Sequence, residues 1–338
     1  MSAIFSNNTD VFASIERLLK RQVEKADILR LLKVTGEFQQ ELFRQARAVR
    51  AASGADKVHL RGVIEISNYC QKSCDYCAIR APNKNISHYR MSVDEIMELA
   101  YKIKEFGINI IFLQSGQDPK CVDLMEEVIP RIKQELNTTI LLCLGEWPKI
   151  VYQRFYDLGA DSYILKYETS DTELYEKIAH TPLSGRLECA RWIKEVGMKL
   201  GVGNIVGLPD QPFESLAEDI LLGVALQPDF VSVSPFIANQ DTPFENVPTG
   251  DFNITLNTMA INRILHNASL IPTVSALEKI YPEGQLMGLN AGANVITINF
   301  TPPDYQKKYK IYSKDRFVVT HEHALNIIDK SGMQRVQV

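Results

Sequence analysis

The segment SVDEIMELAYKIKEFGINIIFLQSG (92–116) decides the fold class, because it joins one amphipathic helix directly to one strand. Ser92 and Glu95 have the spacing of a capping box, which marks the start of a helix. Apolar residues then recur on one helical face, at Ile96, Leu99, Ala100 and Ile103. Gly107 is suited to end this helix, and the β-rich run INIIFLQSG follows at 108–116. The segment predicts one helix–strand unit of an α/β protein.

The same alternation repeats along the chain. Helical patterns separate eight β-rich runs, at residues 58–67, 108–116, 138–145, 162–169, 199–209, 229–237, 270–277 and 295–303. This alternation predicts the α/β class and a complete (β/α)8 TIM-type barrel. Further helices are predicted within 9–52 and near 320–332. We expect an N-terminal helical extension at 1–57, the barrel at 58–304 and, at 305–338, a C-terminal tail that packs on the barrel.

Composition and charge exclude several classes of partner. The chain has 338 residues, of which 45% are apolar, and this suffices for one barrel-sized core. Its net charge is −4 and no stretch is strongly basic, so we expect no nucleic-acid partner. No apolar run is long enough to span a bilayer, and the first residues, MSAIFSNNTD, lack the features of a secretory signal. The sequence therefore predicts a cytoplasmic protein with no membrane partner.

Several predicted strands alternate polar and apolar residues, although buried parallel strands normally read as continuous apolar runs. The polar positions are Lys166, Glu168, Ser232, Ser234, Thr297, Asn299 and Thr301. Alternate residues point to opposite faces of a strand. Because the apolar set must face the surrounding helices, the polar set is expected to face the barrel lumen. This pattern predicts a cavity that takes a small polar substrate, open where the strands end.

Three of the six cysteines lie within eight residues, in the segment CQKSCDYC (70–77) after the first predicted strand. Thiolates are strong ligands for iron and zinc. Cys70, Cys74 and Cys77 can hold three corners of a cubic four-iron cluster, which leaves the fourth iron open to another ligand. A structural zinc site is an alternative, but it needs a fourth ligand, for which His88 is the only local candidate. Three incidental cysteines are the remaining alternative.

The spacing CxxxCxxC, with an aromatic residue before the last cysteine, resembles the signature of radical S-adenosylmethionine (SAM) enzymes. The resemblance implies two cofactors, a [4Fe–4S] cluster and SAM, with SAM chelated by the open iron. It also implies reductive cleavage of SAM to methionine and a 5′-deoxyadenosyl radical, which attacks the substrate. A reductant such as ferredoxin or flavodoxin is then required.

Within that superfamily the chain is most similar to the HydE maturases of [FeFe]-hydrogenase, and next to the methylornithine synthase PylB and biotin synthase. The segments that carry the likeness are EISNYC (65–70), HYRMS (88–92), LQSGQDP (113–119), LGEWP (144–148), YETSDTELY (167–175), VGLP (206–209), SPFIANQDTPF (234–244), LNAGANVIT (289–297) and NFTPPDYQKKY (299–309). The likeness implies a role in building the hydrogenase di-iron subcluster together with a partner maturase. A PylB-like amino-acid mutase is the first alternative, and a noncatalytic metal- or cluster-binding scaffold is the second.

The resemblance also implies roles for individual residues. Contacts with SAM are implied for Tyr76, Ser115, Gly116, Gln117, Lys166, Glu168 and Arg186. Arg186 would pair with the SAM carboxylate, which suits the bidentate geometry of a guanidinium. Glu168 would accept bonds from SAM, although a simple ion pair with Lys166 is the alternative. Gln117 departs from the glutamate that the family usually has there. Plausible substrate contacts are Ser234, Thr273, Ser275, Asn290, Thr297, Asn299 and Tyr305.

The chain lacks cysteines that some relatives have. Where HydE proteins commonly place the cysteines of a second cluster, this chain has SKDRFVVTHEH (313–323). The residues that hold the second cluster of biotin synthase are not matched either. We therefore expect a single cluster, and sulfur insertion from a second one is disfavoured.

Overall fold

The fold is described from a computed structural model that covers residues 8–313 and 315–337, so the first residues of the predicted extension lie outside the described part. The helices are α1 Asn8–Leu19, α2 Lys25–Leu32, α3 Gly36–Ala52, α4 Val93–Glu105, α5 Pro119–Leu136, α6 Lys149–Leu158, α7 Thr172–Ala179, α8 Leu183–Glu195, α9 Phe213–Leu226, α10 Phe252–Leu265, α11 Ser275–Ile280, α12 Gly284–Asn290, α13 Pro303–Gln306 and α14 His321–Ser331. The strands are β1 Lys57–Ser67, β2 Ile110–Ser115, β3 Thr139–Cys143, β4 Ser162–Ile164, β5 Lys199–Val206, β6 Phe230–Pro235, β7 Val295–Asn299 and β8 Gln334–Arg335.

Seven parallel strands form the main sheet, in the order β6-β5-β4-β3-β2-β1-β7. Helices connect successive strands, as the alternation in the sequence predicts. The short strand β8 pairs with the start of β1, at Lys57 and Val58. These parallel strands and their connecting helices confirm the predicted α/β class. No helix within the described residues is both long enough and apolar enough to cross a membrane.

The predicted strand at 270–277 differs from the structure. This segment makes single parallel bridges, from Leu270 to Phe230 and from Pro272 to Val295, and α11 begins at Ser275. Pro272 has no N–H to donate to a ladder, so a regular strand cannot continue through it. Within the described residues the sheet is a partial barrel of seven strands, and the complete (β/α)8 barrel predicted from the sequence is not shown.

The local signals for helix ends are confirmed. Ser92 Oγ accepts a hydrogen bond from the N–H of Glu95 at 3.3 Å, and the Glu95 carboxylate accepts one from the N–H of Ser92 at 2.8 Å. Gly107 follows α4 with a φ of 67°, which a glycine adopts without strain. The predicted C-terminal helix is present as α14. It begins after Thr320, whose hydroxyl accepts from the N–H of His323.

Both ends of the described chain pack against the elements around the sheet. Helices α1 to α3 pack against α9 and α10, which lie outside the sheet. At the other end, α14 packs against α12 and β7, and the N–H of Asn299 donates to the carbonyl of Val319 at 3.0 Å. A small apolar cluster, separate from the main core, consists of Val63, Phe112, Leu141 and Ile164. Three of these side chains line the cavity inside the sheet.

Candidate active site

The cysteine loop lies directly after β1, at the carboxyl end of the sheet, where barrel enzymes carry their chemistry. Its thiols at Cys70, Cys74 and Cys77 are free. The end of β2 presses against this loop, because a Cβ atom at Gly116 would lie 2.3 Å from the carbonyl oxygen of Tyr69. A glycine is therefore required at this position. The contact brings the segment after β2 next to the cysteines.

The cysteine loop fits an iron–sulfur cluster. The backbone N–H groups of Lys72 and Gln117 both point at Cys70 Sγ at 3.4 Å, as donors to cluster-ligating sulfurs do. Burial raises the pKa of all three thiols, and the neighbouring Cys70 and Cys74 raise the pKa of Cys77 further. Among the described residues no three His, Cys, Asp or Glu side chains are grouped around a single ion position. The iron corners of a cubane are separate, so its ligands need not converge on one point.

A buried charge network lies beside the loop and centres on Arg186 of α8. Its Nε donates to the carbonyl of Lys166 at 2.7 Å, and its Nη1 donates to Glu146 Oε1 at 2.8 Å. Glu146 also pairs with Lys72 of the cysteine loop. Burial alone would lower the pKa of Arg186, but the acidic groups around it hold that pKa well above its ordinary value. Arg186 therefore stays positively charged, and its hydrogen bonds to the Lys166 carbonyl and to Glu146 fix its position.

Glu168 follows β4 and completes this network. Its φ of 63° lies in the left-handed region, which is strained for a residue with a Cβ atom. Arg186 Nη2 lies 3.6 Å from Oε1, and Lys166 Nζ lies 3.0 Å from Oε2. Lys166 thus forms an ion pair with the buried Oε2, although among the described residues this contact does not have the angles of a regular hydrogen bond. The ion pair with Lys166, which the sequence analysis gives as the alternative role of Glu168, is therefore present, and Oε2 can still accept a hydrogen bond from a bound molecule such as SAM.

The other residues that the resemblance implies for SAM lie around the same loop. Ser115 Oγ donates to the carbonyl of Gly116 at 2.6 Å. Gln117 Oε1 accepts from the N–H of Glu146 at 3.0 Å, so this amide joins the segment after β2 to the segment after β3. The carbonyl of Tyr76 accepts from Asn239 at 3.0 Å, which joins the cysteine loop to the segment after β6.

A cavity inside the sheet contains part of the predicted substrate site. Its lining includes Ser234, Ser275, Thr297 and Asn299, together with Lys166. The remaining three predicted substrate contacts lie elsewhere. The hydroxyl of Thr273 donates to the carbonyl of Gln285, Asn290 is exposed at the end of α12, and Tyr305 stacks on Tyr89 and donates to Glu95. The described structure thus brings four of the seven together.

The same cavity is lined by charged residues that the sequence analysis did not single out. Arg61 of β1 is buried, donates to Thr297 Oγ1 at 2.5 Å and has its guanidinium 4.9 Å from the ring of Phe112. Burial lowers the pKa of Arg61 to about 10, and no described carboxylate forms an ion pair with it. Glu65 is also buried and pairs with Arg316 of the C-terminal tail. Tyr312 lines the same wall.

Of the charged residues that the sequence analysis did not single out, some had a recognisable sequence pattern and one did not. Glu146 lies in LGEWP (144–148), one of the segments similar to HydE, so its position after β3 was a usable signal. Arg61 occupies a polar position in the first predicted strand, which is the pattern used for the other lumen residues. Arg316 had no such signal, because it lies in a tail without strand or helix periodicity.

The chain is similar to several known proteins over most of its length. A family profile described as the radical SAM superfamily matches residues 64–222. The [FeFe] hydrogenase maturase subunit HydE of Thermotoga maritima is 38% identical over 301 residues, which cover 88% of this chain and 86% of that protein. The 3-methylornithine synthase of Methanosarcina acetivorans is 31% identical over 281 residues, which cover 82% and 79%. Among solved structures, methylornithine synthase (PylB) has a TM-score of 0.82 at 25% identity and covers 96% of this chain and 97% of its own.

The matched residues of the family profile include the whole cysteine loop and Arg186. The family's cofactors are a [4Fe–4S] cluster and SAM, and its members are enzymes. The predicted resemblance to radical SAM enzymes, with HydE, PylB and biotin synthase as relatives, is confirmed. This chain belongs to the radical SAM superfamily of enzymes.

Proposed function

We propose that this enzyme is HydE-like and acts in maturation of the [FeFe]-hydrogenase cofactor. The observation that carries the proposal is its 38% identity to HydE over 88% of the chain, compared with 31% over 82% for 3-methylornithine synthase. Its expected target is the sulfur of an iron-bound cysteine, delivered by a partner maturase. All six cysteines are free thiols, which supports a reducing, cytoplasmic location.

We assign the cluster to Cys70, Cys74 and Cys77, and the SAM site to the residues around them. When bound and reduced by ferredoxin or flavodoxin, the cluster supplies the electron that cleaves SAM. The chain's own groups orient the SAM molecule. Arg186 presents its guanidinium to the carboxylate, and Glu168, whose Oε2 is ion-paired with Lys166, offers that oxygen as a hydrogen-bond acceptor. The remaining contacts are assigned to Tyr76, Ser115, Gly116, Gln117 and Lys166.

The substrate is assigned to the cavity inside the sheet. Arg61 has no acidic partner among the described residues, so its buried charge favours a substrate that carries an anionic group. Hydroxyl and amide groups for orienting a small polar molecule line the same space, at Ser234, Ser275, Thr297 and Asn299.

The proposal is tested in two stages. First, anaerobically reconstituted protein, reduced with dithionite and given SAM, is expected to release 5′-deoxyadenosine and methionine. Replacement of Cys70, Cys74 or Cys77 by Ala should abolish this release and the cluster, whereas Cys189→Ala serves as the control and retains both. Second, the gene is expected to restore hydrogenase activity in cells that lack their own HydE. Cleavage of SAM without restored hydrogenase activity would contradict the HydE-like assignment and retain only the superfamily chemistry.

A methylornithine-synthase-like mutase is the second candidate. The observation in its favour is the fold, because the PylB structure covers 96% of this chain with a TM-score of 0.82. Formation of 3-methylornithine by the reduced protein with SAM would support this candidate. Hydrogenase restoration without 3-methylornithine would exclude it.

A further inference from the structure

The segment that carries Glu168 is anchored on both sides to one residue, Asp219 of α9. Before Glu168, the hydroxyl of Tyr167 donates to the backbone carbonyl of Asp219 at 2.6 Å. After it, Ser170 donates from its N–H and its hydroxyl to Asp219 Oδ1, at 2.5 and 2.7 Å. Thr169 Oγ1 lies 3.3 Å from the same oxygen. Three of the residues flanking Glu168 therefore bond to a single residue.

The second carboxylate oxygen connects this segment to β5. Asp219 Oδ2 accepts from Asn204 Nδ2 at 3.2 Å and from Gln211 Nε2 at 3.3 Å. Asn204 is itself the bridge partner of Glu168. Gln211 holds the turn after β5, because its amide also donates to the carbonyl of Ile205. Asp219 thus joins the Glu168 segment to the strand that it bridges.

Packing alone would favour an apolar residue at the buried position of Asp219. Its side chain is completely buried, and α9 otherwise buries apolar residues such as Leu216 and Ile220 here. Only hydrogen bonds, with no described cation, compensate the carboxylate, and burial raises its pKa to about 6. A buried carboxylate is costly unless it is well satisfied. Its advantage over an apolar residue is that it accepts several hydrogen bonds at one point.

The backbone of Glu168 requires such an anchor. Its left-handed φ of 63° is strained and persists only where surrounding contacts hold it. Two of those contacts come from β5, since the N–H of Glu168 donates to Gly203 and its carbonyl accepts from Ile205 at 2.8 Å. The others come from its flanking residues through Asp219. Release of that anchor would let the backbone relax and turn the carboxylate away from Arg186.

We propose that Asp219 is a positioning residue of the SAM site, which holds residues 167–170 in the strained geometry that directs Glu168 toward Arg186 and SAM. This inference rests on the proposed SAM-binding role of Glu168. It assigns Asp219 no contact with SAM or with the cluster.

The test compares Asp219→Ala and Asp219→Asn with a matched control, Asp27→Ala. Asp27 is also a buried carboxylate in a hydrogen-bond network, with Ser14 and Arg17, but it lies on α2. Binding of SAM to the anaerobic reconstituted enzyme is measured by equilibrium dialysis and by the EPR change of the reduced cluster. Amide hydrogen exchange is followed for residues 167–170. Iron content reports cluster assembly.

Asp219→Ala is expected to weaken SAM binding about tenfold or more, because it removes several hydrogen bonds that act as one anchor. Exchange of residues 167–170 should rise by a similar factor, with iron content unchanged. Asp219→Asn keeps an acceptor for Ser170 and should fall between Ala and wild type. Asp27→Ala should leave SAM affinity and this exchange unchanged.

Two results would overturn the inference. One is SAM affinity within about twofold of wild type in Asp219→Ala, and the other is an equal loss in Asp27→Ala. If Asp219→Ala does not fold, the triple variant Tyr167→Phe/Thr169→Val/Ser170→Ala removes the three hydroxyl donors and leaves only the N–H of Ser170, and unchanged SAM affinity together with unchanged exchange of residues 167–170 there also overturns it. If wild-type enzyme binds no SAM, the proposed function fails, whereas the exchange of residues 167–170 still decides whether Asp219 anchors them.

Discussion

Arg316 donates from both terminal guanidinium nitrogens to the two carboxylate oxygens of Glu65, at 2.5 and 2.6 Å. Both side chains are more than nine-tenths buried. Glu65 lies near the end of β1 and Arg316 in the C-terminal tail, so the pair fastens the tail to the barrel wall. Tyr312 and Phe317 of the same tail line the cavity. The tail therefore forms part of the cavity wall.

The first prediction concerns this pair. Arg316→Ala leaves the Glu65 carboxylate buried without its partner, so the free energy of unfolding should fall by about 3–5 kcal/mol. The double variant Glu65→Gln/Arg316→Met removes both charges and should lose much less. Urea unfolding of the anaerobic protein measures both. A loss below about 1 kcal/mol in Arg316→Ala would mean that the tail is fastened by other contacts.

The second prediction concerns Arg186. Its guanidinium contacts the Lys166 carbonyl, Glu146 and Glu168 from three nitrogens, a fork that a lysine ammonium cannot reproduce. Arg186→Lys should therefore weaken SAM binding about tenfold or more, with the iron content unchanged. Arg191→Lys is the control, because Arg191 lies on the same helix but is exposed. Equal SAM affinity in both variants would remove Arg186 from the SAM site.

The elements of secondary structure that depend on local sequence patterns were predicted correctly. The alternation of β-rich runs with helical patterns located β1, β2, β3, β5, β6 and β7, because each of these strands is one continuous β-rich run between helices. The prediction failed at 270–277, where an apolar run reads as a strand but Pro272 cannot donate to a ladder and Ser275 begins a helix. The strand predicted at 162–169 is also shorter, because regular pairing ends at Ile164 and Glu168, with its left-handed φ, makes only an isolated bridge to Asn204.

In the candidate site, too, residues of one local motif were predictable, whereas contacts between distant segments were not. The cysteine loop is one continuous motif and could be read directly from the sequence. Of the charged wall of the cavity, Arg61 had the polar strand position of a lumen residue, but Arg316 had no signal, because only folding brings the tail to the same cavity. The Glu146–Arg186 contact likewise joins the loop after β3 to α8. Such pairs leave no periodic signal, so a single sequence does not reveal them.

The third prediction concerns the cavity. Asn299 lines it at the end of β7, whereas Asn290 is exposed at the end of α12. Asn299→Leu adds bulk and removes polar groups inside the cavity, so the rate of product formation should fall about tenfold or more, while cluster assembly and uncoupled SAM cleavage continue. Asn290→Leu is the matched control and should behave as wild type. Parallel loss of SAM cleavage in Asn299→Leu would mean that the change damages the SAM site or the fold.

The fourth prediction concerns the pH dependence of stability and rests on His266, which follows α10. The residue is buried, its Nε2 has no hydrogen-bond partner among the described residues, and burial next to Arg21 and Arg263 lowers its pKa to about 4. In the unfolded chain a histidine takes up its proton near pH 6.5. As the pH falls below that value, the unfolded state therefore binds more protons than the folded state, and stability is lost.

Between pH 7.5 and 5.5 this difference should cost about 1 kcal/mol of unfolding free energy. His266→Gln cannot titrate, so its loss over the same interval should be smaller by that amount. The measurement is urea unfolding of the anaerobic protein at the two pH values, followed by far-ultraviolet circular dichroism. His88→Gln, at an exposed histidine that forms no ion pair among the described residues, is the control and should keep the wild-type pH dependence. If His266→Gln and wild type lose the same stability, His266 does not stay neutral in the folded protein, and a proton bound at its unpartnered Nε2 must be stabilised by the fold.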